Sequence, residues 1–342
     1  MQDSNPISLI SSSVRVCLVV GSPLQLLNAI EARQRFHQDH HCTLLLIWSH
    51  DIDRQQMSAL LDQDWQQVHV FEAHKWFRLF YPYLMSVVLE PLRGVDYLYL
   101  GYPFKVRAHI ANTLQAQQVR FLDDGNASLT LAEQLRSPTL IKKHQPKLHD
   151  VLLSRKISID YAKTATFFTL YPDMVWPRDQ VIANDYRMLR QQIARQPTNL
   201  DVLFVGSAVA GAVVSVAQEK QLIEAMAVYY AGQQVIYALH RFEDQAYFER
   251  EFAHTSLRFV RFDTAIEVAL CQAQVYPQRI ASFCSSALTT LSLLYGGQTE
   301  VLAIPSTWME ADVAARLDVI YQDFARSGIH IRHFLEEQSH VA

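Results

Sequence analysis

Short apolar runs alternate along the chain with longer segments whose apolar residues recur at helical spacing. Val14–Val20 is a continuous apolar run, bounded by the turn-forming GSPLQ stretch, and Leu26–Arg35 follows with a helical pattern. The alternation continues with predicted strands at Cys42–Trp48, Val68–Glu72, Tyr97–Gly101 and Val119–Leu122, and predicted helices at Arg54–Gln63 and His109–Gln117. Strand runs that are apolar throughout, rather than alternating, belong to parallel sheets covered on both faces. Residues 171–200 interrupt the pattern with Pro172, Pro177 and Pro197 among polar residues, the composition of a linker. Beyond them strands are predicted at Asp201–Val205, Gln234–Leu239, Leu257–Phe262, Ile280–Phe283 and Glu300–Ile304. The intervening helices are predicted at Ala217–Ala231, Ala265–Cys271, Ser286–Leu294 and Glu310–Ala325.

The prediction is an α/β chain of two Rossmann-like domains. Residues 1–170 form the first, 171–200 a linker and 201–342 the second, with the last helix a candidate to pack back on the first domain. Two such halves imply a central cleft faced by their parallel sheets, and open α/β sheets bind ligands at the carboxyl ends of their strands. The length of 342 residues suits two cores. Thirty basic against 34 acidic side chains give a net charge of −4, which excludes the basic excess of a nucleic-acid binder. The half-hydrophobic, one-fifth-charged composition excludes a disordered or fibrous chain. The cysteines Cys17, Cys42, Cys271 and Cys284 form no CxxC pair and no zinc-site spacing, and Cys17 is predicted to be a buried reduced thiol. No export signal and no apolar run near 20 residues is evident, so a cytoplasmic protein is expected.

Five strand ends carry candidate chemistry. Gly21-Ser22 follows the first strand, where glycine admits close backbone approach and the next helix offers free N–H groups; a plain structural turn reads equally well. Asp123-Asp124-Gly125 follows Val119–Leu122, either as a simple Asp-Gly turn or with one carboxylate available to take a proton from an attacking hydroxyl. Gly206-Ser207 opens the small-residue loop GSAVAG, which is neither a dinucleotide fingerprint nor a Walker loop and serves packing or leaves room for a base or sugar. His240, with Arg241 beside it, ends an apolar strand and can donate to a phosphate. Ser285 and Ser286 precede the apolar helix ALTTLSLL, as ordinary caps or as phosphate donors at a positive dipole end. His37, His40 and His41 form an HxxHH cluster that reads as a solvated loop between helix and strand rather than a metal site.

In order and spacing, FLDDG at 121–125, YALHRFED at 237–244 and IASFCSSALTTLSLLYG at 280–296 resemble motifs of the bacterial GT-B sialyltransferases. The similarity is to the lipooligosaccharide sialyltransferase and alpha-2,8-polysialyltransferase-like families. GSPLQLLNAIEA and DVLFVGSAVAG extend it over about residues 14–305. The resemblance implies inverting transfer of sialic acid or a related nonulosonic acid, or Kdo, from a CMP-sugar to a surface glycan or glycolipid. It implies Asp124 as general base, Asp123 as loop support or in the swapped role, and His240 on the departing phosphate, with a further role as its acid. It also implies Ser285 and Ser286 on that phosphate, Glu267 on the ribose hydroxyls, and Gly21, Ser22, Gly206, Ser207 and Arg241 lining the substrates. No cofactor and no metal is expected; the CMP-sugar is a co-substrate. Arg241 stands where the family has proline, and GSAVAGAVVS lacks the acidic base of the lipooligosaccharide branch. The alternatives are a GT-B nucleotide-sugar enzyme with another donor, an epimerase included, or a non-catalytic scaffold in a capsule-assembly complex. The aromatic stretch 74–94 and the basic stretch 142–156 are candidates for a glycolipid or inner-membrane surface, against bland readings as core helix and solvated loop. A homodimer is compatible with this reading.

Overall fold

The computed structural model describes residues 14–48, 50–61, 64–72, 86–137, 148, 151, 155–192, 197–296 and 298–335. The candidate membrane-facing stretches fall mostly outside these residues, as 74–85 and most of 142–154 are not among them. The chain divides into two compact units. The first comprises residues 1–49, 62–124 and 130–182; the second comprises 50–61, 125–129 and 183–342.

The first unit is built on a seven-stranded sheet. Its strands are β1 (Arg15–Val20), β2 (His41–Trp48), β3 (Gln67–Glu72), β4 (Tyr97–Leu100), β5 (Gln118–Leu122), β6 (Thr166–Thr169) and β7 (Val181–Ala183), in the order β3-β2-β1-β4-β5-β6-β7. All pairings from β3 to β6 are parallel. Cys17 to Val20 are completely buried, as are Leu44, Leu98 and Leu100. Burial on both faces is why these strands read as unbroken apolar runs. Helix α1 (Pro23–Phe36) starts three residues before the expected Leu26, inside the stretch read as a turn: Ser22 caps it by accepting from the Gln25 N–H, and proline occupies the first turn, where its missing N–H costs nothing. Helix α2 (Asp51–Leu60) belongs by its contacts to the second unit. Helices α3 (Val106–Leu114) and α4 (Asn126–Leu135) follow β4 and β5.

The second unit has a six-stranded parallel sheet. Its strands are β8 (Leu200–Val205), β9 (Val235–Ala238), β10 (Arg258–Val260), β11 (Pro277–Ser282), β12 (Gln298–Leu302) and β13 (His330–Arg332), in the order β10-β9-β8-β11-β12-β13. Beside α2 its helices are α5 (Arg187–Gln192), α6 (Val216–Tyr229), α7 (Gln245–Glu251), α8 (Ile266–Gln272), α9 (Ala287–Tyr295) and α10 (Ala311–Arg326). Two apolar layers flank the sheet. One gathers Phe204, Tyr237, Phe248, Phe259 and Phe283, and the other Leu203, Leu270, Leu288, Leu291 and Phe324. Leu317 and Phe324 of α10 lie in these layers, so the last long helix is part of the second unit's own core.

In each sheet the chain first steps outward on one side of a central strand and then on the other. The direction reverses between β1 and β4 in the first sheet and between β8 and β11 in the second. At such a switch point the loops leaving the two neighbouring strands diverge and leave an opening at their carboxyl ends.

Several elements lie beyond the sequence expectations. Helices α4 and α7 and strands β6, β7 and β13 are short or weakly periodic. Residues 171–200, read as a linker, carry β7 and α5, and the boundary between the units falls at Ile182–Ala183. The HxxHH segment is not a solvated loop throughout. His37 is buried, with its Nε2 2.8 Å from the Tyr99 hydroxyl and its Nδ1 2.8 Å from Nδ1 of His40. Burial, His40 and Arg120 push His37 down to about 4. Cys17, Cys42 and Cys284 are free thiols, and burial holds the Cys17 thiol well above its ordinary range. Among the described residues no helix is long and apolar enough to cross a membrane.

Candidate functional site

The second unit's candidates converge at the β8/β11 switch point. Gly206 follows β8, and its N–H donates to the Ala238 carbonyl at the end of β9, at 2.8 Å. A side chain there would meet the Glu243 carboxylate and would lie 2.8 Å from the His240 nitrogen and 3.0 Å from the Ala238 carbonyl. Only glycine lets the β8 and β9 loops approach this closely. Ser207 then reaches sideways to the end of β11. Its Oγ lies 2.9 Å from the Ser282 Oγ and accepts from the Cys284 N–H at 3.3 Å. Ser282, fully buried, donates to the Val205 carbonyl at 2.7 Å and accepts from the Ser285 N–H at 3.0 Å. Three loops are thereby tied into one hydrogen-bonded set.

His240 is half-buried at the edge of this set. Its Nδ1 accepts from the Phe242 N–H at 3.3 Å, which leaves the ring proton on Nε2. Burial, with the charges of Arg241 and Arg261, pushes it down to about 4. At neutral pH the imidazole is therefore an uncharged hydrogen-bond donor through Nε2, and a weak reservoir of protons for a leaving group. Glu243 holds the loop from beneath. Its carboxylate accepts from the His240 N–H at 2.6 Å, the Ala208 N–H at 3.1 Å and the Tyr237 hydroxyl at 3.0 Å. Burial outweighs these bonds and raises Glu243 to about 7. Arg261 donates to the backbone carbonyls of His240 and Glu243.

Ser285 and Ser286 sit at the start of α9. The Ser285 Oγ accepts from the Ala287 N–H at 3.3 Å, and Ser286, in helical conformation, makes no capping bond with its side chain. The Ser285 N–H bond to Ser282 brings the positive end of the helix up to the same loop cluster. Glu267, in the first turn of α8, is buried, and burial raises its carboxyl to about 7. The Tyr295 hydroxyl of α9 donates to its backbone carbonyl at 2.9 Å, so α8 and α9 are held together there. Arg241 has a different engagement from the one expected. Its guanidinium pairs with the buried Asp53 of α2 at 3.4 Å and stacks over the Phe242 ring. The Arg241 charge thus has a protein carboxylate as its partner.

In the first unit the two aspartates of DDG separate completely. Asp123 is fully buried; its Oδ2 accepts from the Leu170 N–H at 2.7 Å and the Thr169 hydroxyl at 3.0 Å, and its carbonyl accepts from Asn28 at 3.1 Å. It ties the end of β5 to the end of β6 and to α1, and its carboxylate is not open to a reacting group. Asp124 is half-exposed, and its Oδ1 accepts from the Ser22 hydroxyl at 3.2 Å. The N-terminal loop is braced by Gln25, whose side chain accepts from the Gly21 N–H at 2.9 Å. The Arg107 guanidinium lies directly over Gly21, where a side chain would collide with it and come within 2.7 Å of the Ile47 carbonyl.

Gly21, Ser22 and Asp124 thus share one switch point, and Gly206, Ser207, His240 and Ser285 the other. Arg107, Tyr102, Glu243 and Arg261 were absent from the sequence candidates. Two of them had a readable signal. Glu243 lies three residues after His240, in reach of a turn, and Arg107 places a cation in the first turn of α3, against the helix dipole.

No family model matches the chain, and no curated protein sequence does. Solved structures do. A UDP-GlcNAc 2-epimerase from Neisseria meningitidis bound to UDP-GlcNAc aligns over 92% of this chain and 91% of its own, at 13% identity and a TM-score of 0.51. The MnaA protein of S. aureus, solved with UDP, aligns over 91% and 90% at 7% identity and a TM-score of 0.52. The fold is of the GT-B type. At these identities the similarity carries the GT-B architecture of two Rossmann-like parallel sheets and leaves the chemistry to the site.

Proposed function

We propose that this GT-B protein is an enzyme acting on a nucleotide-activated sugar, with the nucleotide held by the second unit. The observation that carries this is the set of Gly206, Ser207, His240, Ser282 and Ser285 joined at the β8/β11 switch point. Its free donors are the His240 Nε2–H, the Ser285 and Ser286 hydroxyls and the start of α9, the Ser282 proton being given to the Val205 carbonyl and the Ser207 proton to Ser282. Such donors suit phosphate oxygens, and they are already positioned before a ligand arrives. Glu267 supplies an acceptor for ribose hydroxyls. The fold likeness to an epimerase bound to UDP-GlcNAc supports a nucleotide sugar as the ligand class.

A finer reading is transfer of a CMP-activated nonulosonic acid to a glycan. The FLDDG, YALHRFED and SFCSS stretches favour it, as does the half-exposed Asp124 carboxylate. Asp124 would take the proton of the acceptor hydroxyl as it attacks the anomeric carbon, and CMP would leave from the opposite face. The neutral His240 would stabilise the departing phosphate by hydrogen bonding.

Thermal shifts with CMP, UDP, ADP and GDP test the first reading. At least one nucleotide should stabilise the wild type, by about 2.7 kcal/mol at a hundredfold excess over its Kd. That gain should largely vanish in His240→Ala. If no nucleotide shifts the transition, the enzyme reading fails and the scaffold alternative gains. Preference for CMP, with an alpha-linked product, favours transfer; preference for UDP, with an epimerised sugar, favours the epimerase-like alternative. Under the transfer reading Asp124→Asn should lower turnover about 10²–10⁴-fold while leaving nucleotide affinity intact. Unchanged turnover would remove Asp124 from the chemistry.

A further inference from the structure

The switch point of the first sheet holds an arginine that the nucleotide reading does not use. Arg107 lies at the start of α3, just beyond the end of β4, with its guanidinium over Gly21 at the end of β1. Its Nε is buried without a hydrogen-bond partner, and among the described residues no side chain or carbonyl is hydrogen-bonded or ion-paired to its Nη atoms. Asp124 and the half-buried Tyr161 are near enough to favour its charged form, against the larger effect of burial. The Tyr161 hydroxyl is committed to the Pro103 carbonyl at 2.9 Å. Tyr102, the second residue after β4, is near enough to Asp124 for that carboxylate, after burial, to raise its hydroxyl. Ser22 completes the ring, bonded to Asp124 and capping α1.

This placement is costly for the folded protein. Arg107 is half-buried, and burying its Nε–H without an acceptor forfeits that donor's hydration. Its position in the first turn of a helix sets its charge against the dipole. A hydrophobic side chain of similar reach would meet neither cost. What the arrangement offers is a planar, preorganised fork at the carboxyl ends of β1 and β4, beside the N-terminus of a fourteen-residue helix. That fork matches the paired oxygens of a carboxylate or a phosphate.

We propose that Arg107, with Ser22 at the α1 N-terminus, forms an oxyanion-binding site that takes a carboxylate or phosphate carried by a sugar substrate. Asp124 stands beside the bound group, on the side from which a neighbouring hydroxyl would be deprotonated. The shared chemistry is two or three oxygens bearing one negative charge or more. A sugar acid supplies it as a carboxylate, and a phosphorylated or lipid-linked sugar supplies it as a phosphate. The site is defined by the first unit alone and stands or falls separately from the nucleotide reading.

Calorimetric titration of the full chain without nucleotide tests it, using sodium phosphate, N-acetylneuraminate and neutral N-acetylmannosamine as probes. At least one anionic probe should bind, and the neutral sugar should not. Arg107→Met should weaken that binding at least tenfold while its Tm equals or exceeds that of the wild type. Arg107→Lys should fold and bind at intermediate strength. Asp124→Asn should tighten anion binding severalfold by removing an adjacent negative charge. Binding of phosphate alone assigns the site to a phosphorylated substrate, and binding of the sugar acid alone to a carboxylate. The proposal is overturned if neither anion binds, if Arg107→Met binds as well as the wild type, or if both Arg107 variants melt several degrees lower. Anion binding unmoved by Asp124→Asn places the anion elsewhere and overturns it too. A parallel titration with CMP and UDP reports on the second unit, so loss of one site is told apart from loss of the other.

Discussion

At the residue scale the protein separates side chains that look alike in sequence. Asp123 and Asp124 are neighbours, yet one is sealed against Leu170 and Thr169 while the other is half-exposed beside Ser22. The pleat sends successive residues at a strand end to opposite sides, and only one side here is open. Glu267 shows a buried carboxyl carrying a stability cost. In the unfolded chain it ionises near 4.5, and in the folded protein at about 7. Below the first value it costs nothing. As pH rises through the second, the folded state is forced to hold a buried charge, and stability is lost between the two. The difference corresponds to at most about 3 kcal/mol. Glu267→Gln should therefore flatten the fall in stability between pH 5 and 7.5 and be the more stable protein at pH 8, as read from urea melts. The same variant should bind nucleotide about tenfold more weakly if the carboxylate meets the ribose. A pH profile identical to that of the wild type would show that Glu267 does not titrate there.

At the element scale the loops after β8, β9 and β11 act as one piece. Gly206 is the point of closest approach, and Glu243 holds the β9 loop against the β8 loop through three hydrogen bonds. Gly206→Ala should force these loops apart, costing roughly 1–3 kcal/mol by overpacking and weakening nucleotide binding with it. Chemical denaturation and the nucleotide thermal shift check both effects; an alanine variant with wild-type stability would mean that the loops have slack. Helix α9 shows the same economy. Its first residues serve the loop cluster, while Leu288 and Leu291 in the same helix are fully buried in the core. Packing of the helix therefore fixes the direction of its N-terminus. The 3.6-residue apolar period predicted that helix, because a buried stripe leaves its mark on composition. Helix α7, with only Phe248 buried, leaves little such mark.

At the scale of the whole molecule two parallel sheets each carry a reversal of strand order, and each reversal has a polar cluster at its carboxyl end. The second unit's cluster is rich in neutral donors, and the first unit's sets a guanidinium near a carboxylate without an ion pair between them. The two clusters are thus suited to different ligand groups. Amide hydrogen exchange should show this division. A bound nucleotide should slow exchange in 206–211, 240–245 and 282–289, and leave β3 and the segment 101–107 unchanged. Protection confined to the first unit would contradict the assignment of the nucleotide to the second.

The apolar runs, their length and their alternation with helical segments were enough to predict two parallel α/β sheets, because a strand covered on both faces must be apolar throughout. Glycine and serine at strand ends were legible for the same local reason. The linker region was harder: β7 and α5 are too short to impose a period, and prolines dominate the composition there. The sequence could not show which aspartate of DDG stays open, that Arg241 answers Asp53, or that Arg107 lies over Gly21. Each depends on residues 46 or more positions apart meeting at strand ends, or on a charge finding or lacking a partner across the fold. Hydrophobic burial writes itself into local pattern, but the pairing of polar groups is decided only when distant segments are brought together, and that is where this protein's chemistry lies.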